Sequence, residues 1–165
     1  MKAKLVDSMR PGDWIYEIKF DGHRALALRG GSKTRVLSRN PKDLDSKFAE
    51  VEDAIGALDV QDAIIDGEIV ALDEKGRSSF QALQGLDMGE KRPPIVYYAF
   101  DLLRFNGKNL QNSPIEERKA KLEKLLKKPS GVIRYSVSFV KDIEELLDPG
   151  SGFGARGPDR QTQRL

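Results

Sequence analysis

Along the chain the apolar positions change period several times. Tyr16–Lys19 and Ala25–Arg29 alternate or run apolar, Gly30-Gly31-Ser32 is a turn signal, and Arg35–Ser38 resumes as a short strand. This opening predicts an antiparallel meander, with strand alternation placing Lys19 and Asp21 on one face. Over Asp45–Leu58 the spacing lengthens, and Phe48, Val51, Ala54, Ile55 and Leu58 share one helical face opposite acids and Lys47. Ala63–Leu72, interrupted by Asp66-Gly67-Glu68, and Ile95–Leu103, carrying a lone Asp101, predict two central strands. Between them lie a turn at Asp73–Arg77, a short helix over Ser79–Leu86, and an extended entry forced by Pro93-Pro94.

Pro114 opens an amphipathic helix over Ile115–Lys128, with Ile115, Leu122, Leu125 and Leu126 inward and a polar face that includes Arg118 and Lys119. Its basic end suits the negative pole of the helix, which leaves a solvated face and a DNA contact both open. Val132–Val137 predicts a further strand and Asp142–Leu147 the start of a helix. Strands outnumber helices and several connections are too short for parallel crossovers. The expected fold class is therefore α+β, a mostly antiparallel sheet with flanking helices.

Composition narrows the chemistry. The 165 residues, 39% hydrophobic and 33% charged, suit one domain with a core that needs no cross-links. Zero cysteines exclude disulfides, thiol catalysis and zinc–thiolate sites, and the single histidine, His23, excludes a multi-histidine metal centre. A net charge of +2 means that any nucleic-acid contact must come from clustered cations. No apolar run approaches the roughly 20 residues of a membrane span and no signal peptide opens the chain, so no membrane partner is expected and the expected location is cytoplasmic.

The most informative stretch is Glu17-Ile18-Lys19-Phe20-Asp21-Gly22-His23-Arg24, in which a lysine closes an apolar strand and an acid, a glycine and an arginine follow at once. A desolvated lysine becomes a nucleophile towards phosphorus or carbonyl carbon, and arginine is the better fixed clamp for phosphate oxygens. Taken alone, the segment also reads as a surface hairpin with a Lys–Asp pair. Similarly Phe100 reads as a core residue and Asp66 with Glu68 as the flanks of a turn. His23 reads as structural.

Lys19-Phe20-Asp21-Gly22-His23-Arg24 resembles the nucleotidyl-lysine motif of the covalent nucleotidyltransferases, the superfamily of ATP-dependent DNA ligases, RNA ligases and mRNA capping enzymes. Three further segments are similar to that family's later motifs and follow in its order: Ser38-Arg39-Asn40, Asp66-Gly67-Glu68-Ile69-Val70 and Tyr98-Ala99-Phe100-Asp101-Leu102-Leu103. With Gly76-Arg77-Ser78-Ser79-Phe80-Gln81, the wording most resembles bacterial ATP-dependent DNA ligases of the end-joining type. The resemblance implies an ATP-grasp-like adenylation domain, with ATP and Mg2+ as cofactors. It also implies nicked or broken double-stranded DNA and end-joining repair proteins as partners.

Carried over by position, the resemblance makes Lys19 the nucleophile that takes AMP from ATP and Asp21 the residue that orients it. It gives Arg24 and Arg39 the sugar and phosphate oxygens, Glu68 the ribose hydroxyls or Mg2+, Phe100 the adenine face, and Glu17 with the Ile18 backbone the base edge. AMP would then pass to the 5′-phosphate at a nick, where the 3′-hydroxyl displaces it. The rivals are an RNA ligase or capping-type nucleotidyltransferase and a catalytically inactive remnant that binds nucleotide.

The family pattern continues with a Glu-x-Gly strand, a Lys-x-Lys strand and a small closing barrel, whereas here the last lysine is Lys141 and the last glutamate Glu145. The expected organisation is a partial adenylation domain over 1–147, incomplete at its C-terminus. It would be followed by a Gly/Pro-rich tail over 148–165 of non-family character, expected to be disordered. A frameshift or premature end of the reading frame, with impaired activity, is the corresponding expectation.

Overall fold

The computed structural model describes residues 5–6, 15–38, 44–89, 91–128, 131–139 and 163–164. In chain order the strands are β1 (Leu5–Val6), β2 (Tyr16–Ile18), β3 (His23–Gly30), β4 (Lys33–Ser38), β5 (Asp62–Ala71), β6 (Ile95–Phe105), β7 (Lys108–Asn109), β8 (Ile133–Tyr135), β9 (Ser138–Phe139) and β10 (Gln163–Arg164). The helices are α1 (Ala49–Gly56), α2 (Phe80–Gly85), continued by a 3-10 turn at Leu86–Met88, and α3 (Ile115–Leu125). These elements fall into two compact units, one from Met1–Phe20 with Ser136–Leu165 and one from Asp21–Tyr135.

In the larger unit a six-stranded sheet runs in the order β4-β3-β5-β6-β7, with β8 also beside β6. Every pairing in it is antiparallel except β6 with β8. Strand alternation sorts the side chains. On β5, Ala63, Ile65, Ile69 and Ala71 enter the core with Ala25 and Ala27 of β3 and Tyr97, Ala99 and Leu102 of β6. Val51 and Ile55 of α1, Leu83 of α2 and Leu122 of α3 join the same core. Each fully buried Val, Leu or Ile among them contributes about 1.5–3 kcal/mol relative to an exposed one. Asp66 and Glu68 occupy the intervening positions of β5 and so belong to the opposite face.

Several local expectations change. Asp66-Gly67-Glu68 does not interrupt its strand: β5 runs through it to Ala71, antiparallel to β3 on one side and β6 on the other. The meander holds only for β3 and β4, joined through Gly31 at φ 58°, because β2 pairs with β9 and β10 instead of β3. The first helix starts at Ala49, Asp45 being used to accept hydrogen bonds from the Val36 amide and Arg35. Within Val132–Val137 only Ile133–Tyr135 is strand, β8, and a separate strand, β9, begins at Ser138. The largest correction is on α3, where Arg118 and Lys119 are buried at 6% and 4% exposure instead of lying on a solvated face. Their partners on β6 explain it, as described below.

The smaller unit holds a four-stranded sheet in the order β1-β10-β2-β9, all antiparallel. Gln163–Arg164, at the end of the 148–165 tail, thus forms a strand between β1 and β2. The remainder of that tail, and the helix expected at Asp142–Leu147, lie outside the described residues.

Candidate active site

Arg24 enters on β3 directly opposite Glu68 of β5, so the neighbouring same-face position on β5 is Asp66. The guanidinium takes that diagonal: Nε donates to Asp66 Oδ1 at 3.1 Å and Nη2 to Oδ2 at 2.6 Å. Such a two-point fork is stronger and better oriented than a single contact. The Asp66 side chain is 10% exposed and that of Arg24 35%, so one end of the pair is buried and the other faces outward.

Phe100 reaches the same group through a defect in the sheet. The register runs Asp66↔Asp101 and then Gly67↔Ala99, leaving Phe100 without a Cα partner on β5. A β-bulge of this kind re-aims a side chain. The Phe100 ring leaves the core sequence Tyr97, Ala99, Leu102, and its centroid lies 5.2 Å from the Arg24 guanidinium carbon, a cation–π arrangement. Phe100 is therefore half-buried and is not part of the core.

Glu68 is 4% exposed, and its Oε1 accepts a hydrogen bond from the Gly22 amide at 3.2 Å. Gly22 has no room for a side chain, since a Cβ there would lie 2.2 Å from the Ile69 carbonyl oxygen. Gly67 is constrained from the core side, where a Cβ would meet the Tyr97 ring at 2.5 Å. The Tyr97 hydroxyl spans β3 and β5, lying 3.1 Å from the Ala25 carbonyl oxygen and 2.9 Å from that of Ile65. Burial, reinforced by the Asp66 carboxylate, pushes the Tyr97 phenol well above its usual 10.0. Asp66-Gly67-Glu68 is thus a strand with two acids on one face and an aromatic ring filling the gap behind its glycine.

The candidate residues divide between the units. Arg24, Glu68 and Phe100 come together in the larger one, where Asp21 is exposed and begins the unit. Glu17 and Ile18 end β2 in the smaller unit and half-buried Lys19 follows them. Because the strand stops at Ile18, alternation does not set the relative direction of Lys19 and Asp21. Arg39 lies outside the described residues. His23 packs between the rings of Phe48 and Phe80, with centroid distances of 6.4 Å and 5.6 Å, which suits a structural role.

Sequence reasoning missed Asp66 as the partner of Arg24, although the two-residue spacing to Glu68 was the signal for a shared face. It also missed the ion pair of Asp101 and Arg118. Arg118 Nε and Nη2 donate to the two carboxylate oxygens at 2.8 Å and 2.9 Å, and Nη1 donates to the Ser113 carbonyl at 2.7 Å. A lone acid in an apolar strand requires such a partner.

For a divalent cation, the donor chemistry fits a shared site. Among the described residues no group of three acids or histidines could hold a metal ion. Mg2+ in nucleotide sites takes one or two carboxylates with substrate phosphates and water, which Glu68 could complete.

A mostly antiparallel sheet with this charged face, reached directly from a Lys-x-Asp-Gly segment, is the fold of an adenylation domain of the covalent nucleotidyltransferases. The chain belongs to the ATP dependent DNA ligase domain family, which it matches over residues 1–149. It is similar to the multifunctional non-homologous end joining protein LigD of Pseudomonas aeruginosa, at 36% identity over 94% of this chain and 19% of that protein. A DNA ligase of Methanococcus aeolicus is 28% identical over 88% of this chain and 28% of its own length. Among solved structures, the ligase domain of M. tuberculosis LigD superposes with a TM-score of 0.63 at 26% identity, covering 76% of this chain and 41% of that one. A mycobacterial DNA ligase D complexed with ATP and MES gives 0.64 at 25%, covering 76% and 40%. The chain therefore spans about a fifth to two fifths of the relatives and structures it matches. No helix among the described residues is long and apolar enough to cross a membrane.

Proposed function

We propose that this chain is the lysine-bearing part of an ATP-dependent DNA ligase that seals nicked or broken double-stranded DNA in end joining, acting in the cytoplasm. The observation that carries the reading is the grouping of Arg24, Asp66, Glu68 and Phe100 on one side of the larger unit, Arg24 following Lys19 by five residues in the sequence. One flat aromatic, one oriented cation and one buried carboxylate are the minimum set for a base, a phosphate or sugar oxygen, and a ribose or metal.

In this reading Lys19 Nζ, as the free amine, attacks the α-phosphorus of ATP. A P–N bond forms, the bond to the pyrophosphate oxygen breaks, pyrophosphate leaves with the electron pair, and the nitrogen releases one proton to solvent. Covalent transfer divides a difficult displacement into easier steps. Asp21 orients the amine and accepts its hydrogen bond. Phe100 stacks on adenine, Glu17 and the Ile18 backbone meet the base edge, and Arg24 with Arg39 offers fixed positive charge to sugar and phosphate oxygens. Asp66 holds the Arg24 fork in place. Glu68 binds the ribose hydroxyls or Mg2+, and the metal, when bound, supplies charge neutralisation to the phosphates.

The experiment is transfer of label from [α-32P]ATP, with Mg2+, to the chain and then to a 5′-phosphate in nicked DNA, using GTP and nicked RNA as controls. The proposal expects label from ATP on the chain and then on DNA, with loss in Glu68→Ala. Transfer from GTP or to RNA only would replace it with the capping-type or RNA ligase reading. ATP binding without any covalent label would identify a nucleotide-binding remnant.

A further inference from the structure

Strand β6 is covered unevenly along the edge away from β5. Its residues Tyr97–Ala99 pair with β8 and Arg104–Phe105 with β7, and the Leu103 carbonyl accepts the Leu110 amide at 2.8 Å, so Phe100–Leu102 lies between these partners. This gap contains the bulge that turns the Phe100 ring towards Arg24. An unpaired, bulged edge leaves buried carbonyl groups that must be satisfied by something other than a strand.

Helix α3 supplies it. Lys119, 4% exposed, donates from Nζ to the Phe100 carbonyl oxygen at 3.0 Å, and its ammonium lies 5.8 Å from the centre of the Tyr135 ring on β8. The adjacent Arg118 holds Asp101 at two points, and Asp101 Oδ1 also accepts the Leu102 amide at 2.8 Å. Two neighbouring residues of one helix thus grip two neighbouring residues of the bulge. Surface solubility requires neither of these cations, and burial of a charge is costly unless it is specifically partnered.

We infer that Lys119, with Arg118 behind it, is a positioning residue that sets the direction of the Phe100 ring and hence the nucleotide-base platform. The path is short: Lys119 fixes the Phe100 carbonyl, the carbonyl fixes the bulge, and the bulge fixes the ring against the Arg24–Asp66 pair. Lys119 touches no reacting group in this scheme. That Phe100 is a base platform rests on the proposed function, whereas its control by Lys119 does not.

The test separates the two. The full chain is prepared with its seven phenylalanines as 4-fluorophenylalanine, and the Phe100 fluorine resonance is assigned by its loss in Phe100→Leu. Lys119→Met should shift or broaden that resonance while most of the other six keep their positions, and Lys119→Arg, which retains a donor, should restore it in part. ATP affinity, read by calorimetry with Mg2+, should fall up to about tenfold in Lys119→Met, the scale of one lost aromatic stack. In the labelling reaction, the ATP concentration for half-maximal rate should rise while the rate at saturation holds. An unmoved Phe100 resonance in folded Lys119→Met overturns the inference whatever happens to ATP. A moved resonance with unchanged ATP binding upholds the control by Lys119 and removes Phe100 from the nucleotide site. General loss of all seven dispersed resonances in Lys119→Met, without recovery in Lys119→Arg, would make Lys119 a folding residue and also overturn the inference.

Discussion

Arg24 and Asp66 join adjacent strands through two hydrogen bonds, at 3.1 Å and 2.6 Å, while the same guanidinium faces the Phe100 ring. The carboxylate fixes the rotation of the guanidinium, and the ring fixes the plane beside it. Asp66→Asn keeps the shape but removes the charge and one acceptor. It should cost about 1–3 kcal/mol, the scale for a hydrogen bond to a charged group. Urea unfolding should show a lower midpoint with an unchanged slope, and ATP binding should weaken beyond what that loss of stability explains.

Gly22 should tolerate no side chain. In Gly22→Ala the new methyl group would need to displace the β5 backbone at Ile69, since the gap to its carbonyl oxygen is 2.2 Å. Overpacking of this kind costs about 1–3 kcal/mol. Because the Gly22 amide also donates to Glu68, the substitution should weaken Mg2+-dependent ATP binding together with stability. Calorimetry alongside thermal unfolding would check it. The same substitution at Gly76, where nothing lies within 4 Å of a new Cβ, meets only the strain of φ 74° and should leave ATP binding unchanged.

Tyr97 predicts an alkaline instability. Its phenol is raised well above 10.0 by burial and by Asp66, so above about pH 10 the unfolded chain releases this proton while the folded chain retains it. The unfolded state then binds fewer protons, and stability falls as pH rises from 10.0 towards the folded value, at up to about 1.4 kcal/mol per pH unit. Well below pH 10 both states keep the proton and stability does not change on this account. In Tyr97→Phe this slope should vanish, at a cost near neutrality of about 0.5–1.5 kcal/mol for the lost hydroxyl contacts. Unfolding free energies of both forms between pH 8 and about pH 12 would show the difference.

The pair of Asp101 and Arg118 should behave as a unit. Both side chains are 7% exposed, so removing one partner leaves a buried charge and should cost about 3–5 kcal/mol. Arg118→Met alone and Asp101→Leu alone should each lower the unfolding midpoint strongly. The double variant should recover much of the loss, which a double-mutant cycle would quantify.

Much of this was legible in the chain. Alternating or apolar runs at Ala25–Arg29 and Ile95–Leu103 located the strands, and the order of motifs singled out Arg24, Glu68 and Phe100. Other features depend on contacts far apart in sequence. That β2 belongs with β9 and β10 follows from partners more than 100 residues away, which no local spacing reports. The burial of Arg118 and Lys119 was hidden for a similar reason: helical spacing gave an apolar stripe and assigned cations to water, whereas the bulged edge of β6 required two of them. The lone Asp101 was the visible half of that requirement. Gly67 read as a turn residue because the Tyr97 ring that fills its missing side chain comes from another strand.

The central claim is that Lys19 accepts AMP. The most direct measurement is intact-mass spectrometry of the full chain after incubation with ATP and Mg2+, beside Lys19→Ala prepared identically. The account predicts a mass increase of one adenylate on the parent, removed by pyrophosphate and absent from Lys19→Ala. No adduct on a parent chain shown to be folded, or an equal adduct on Lys19→Ala, would contradict it.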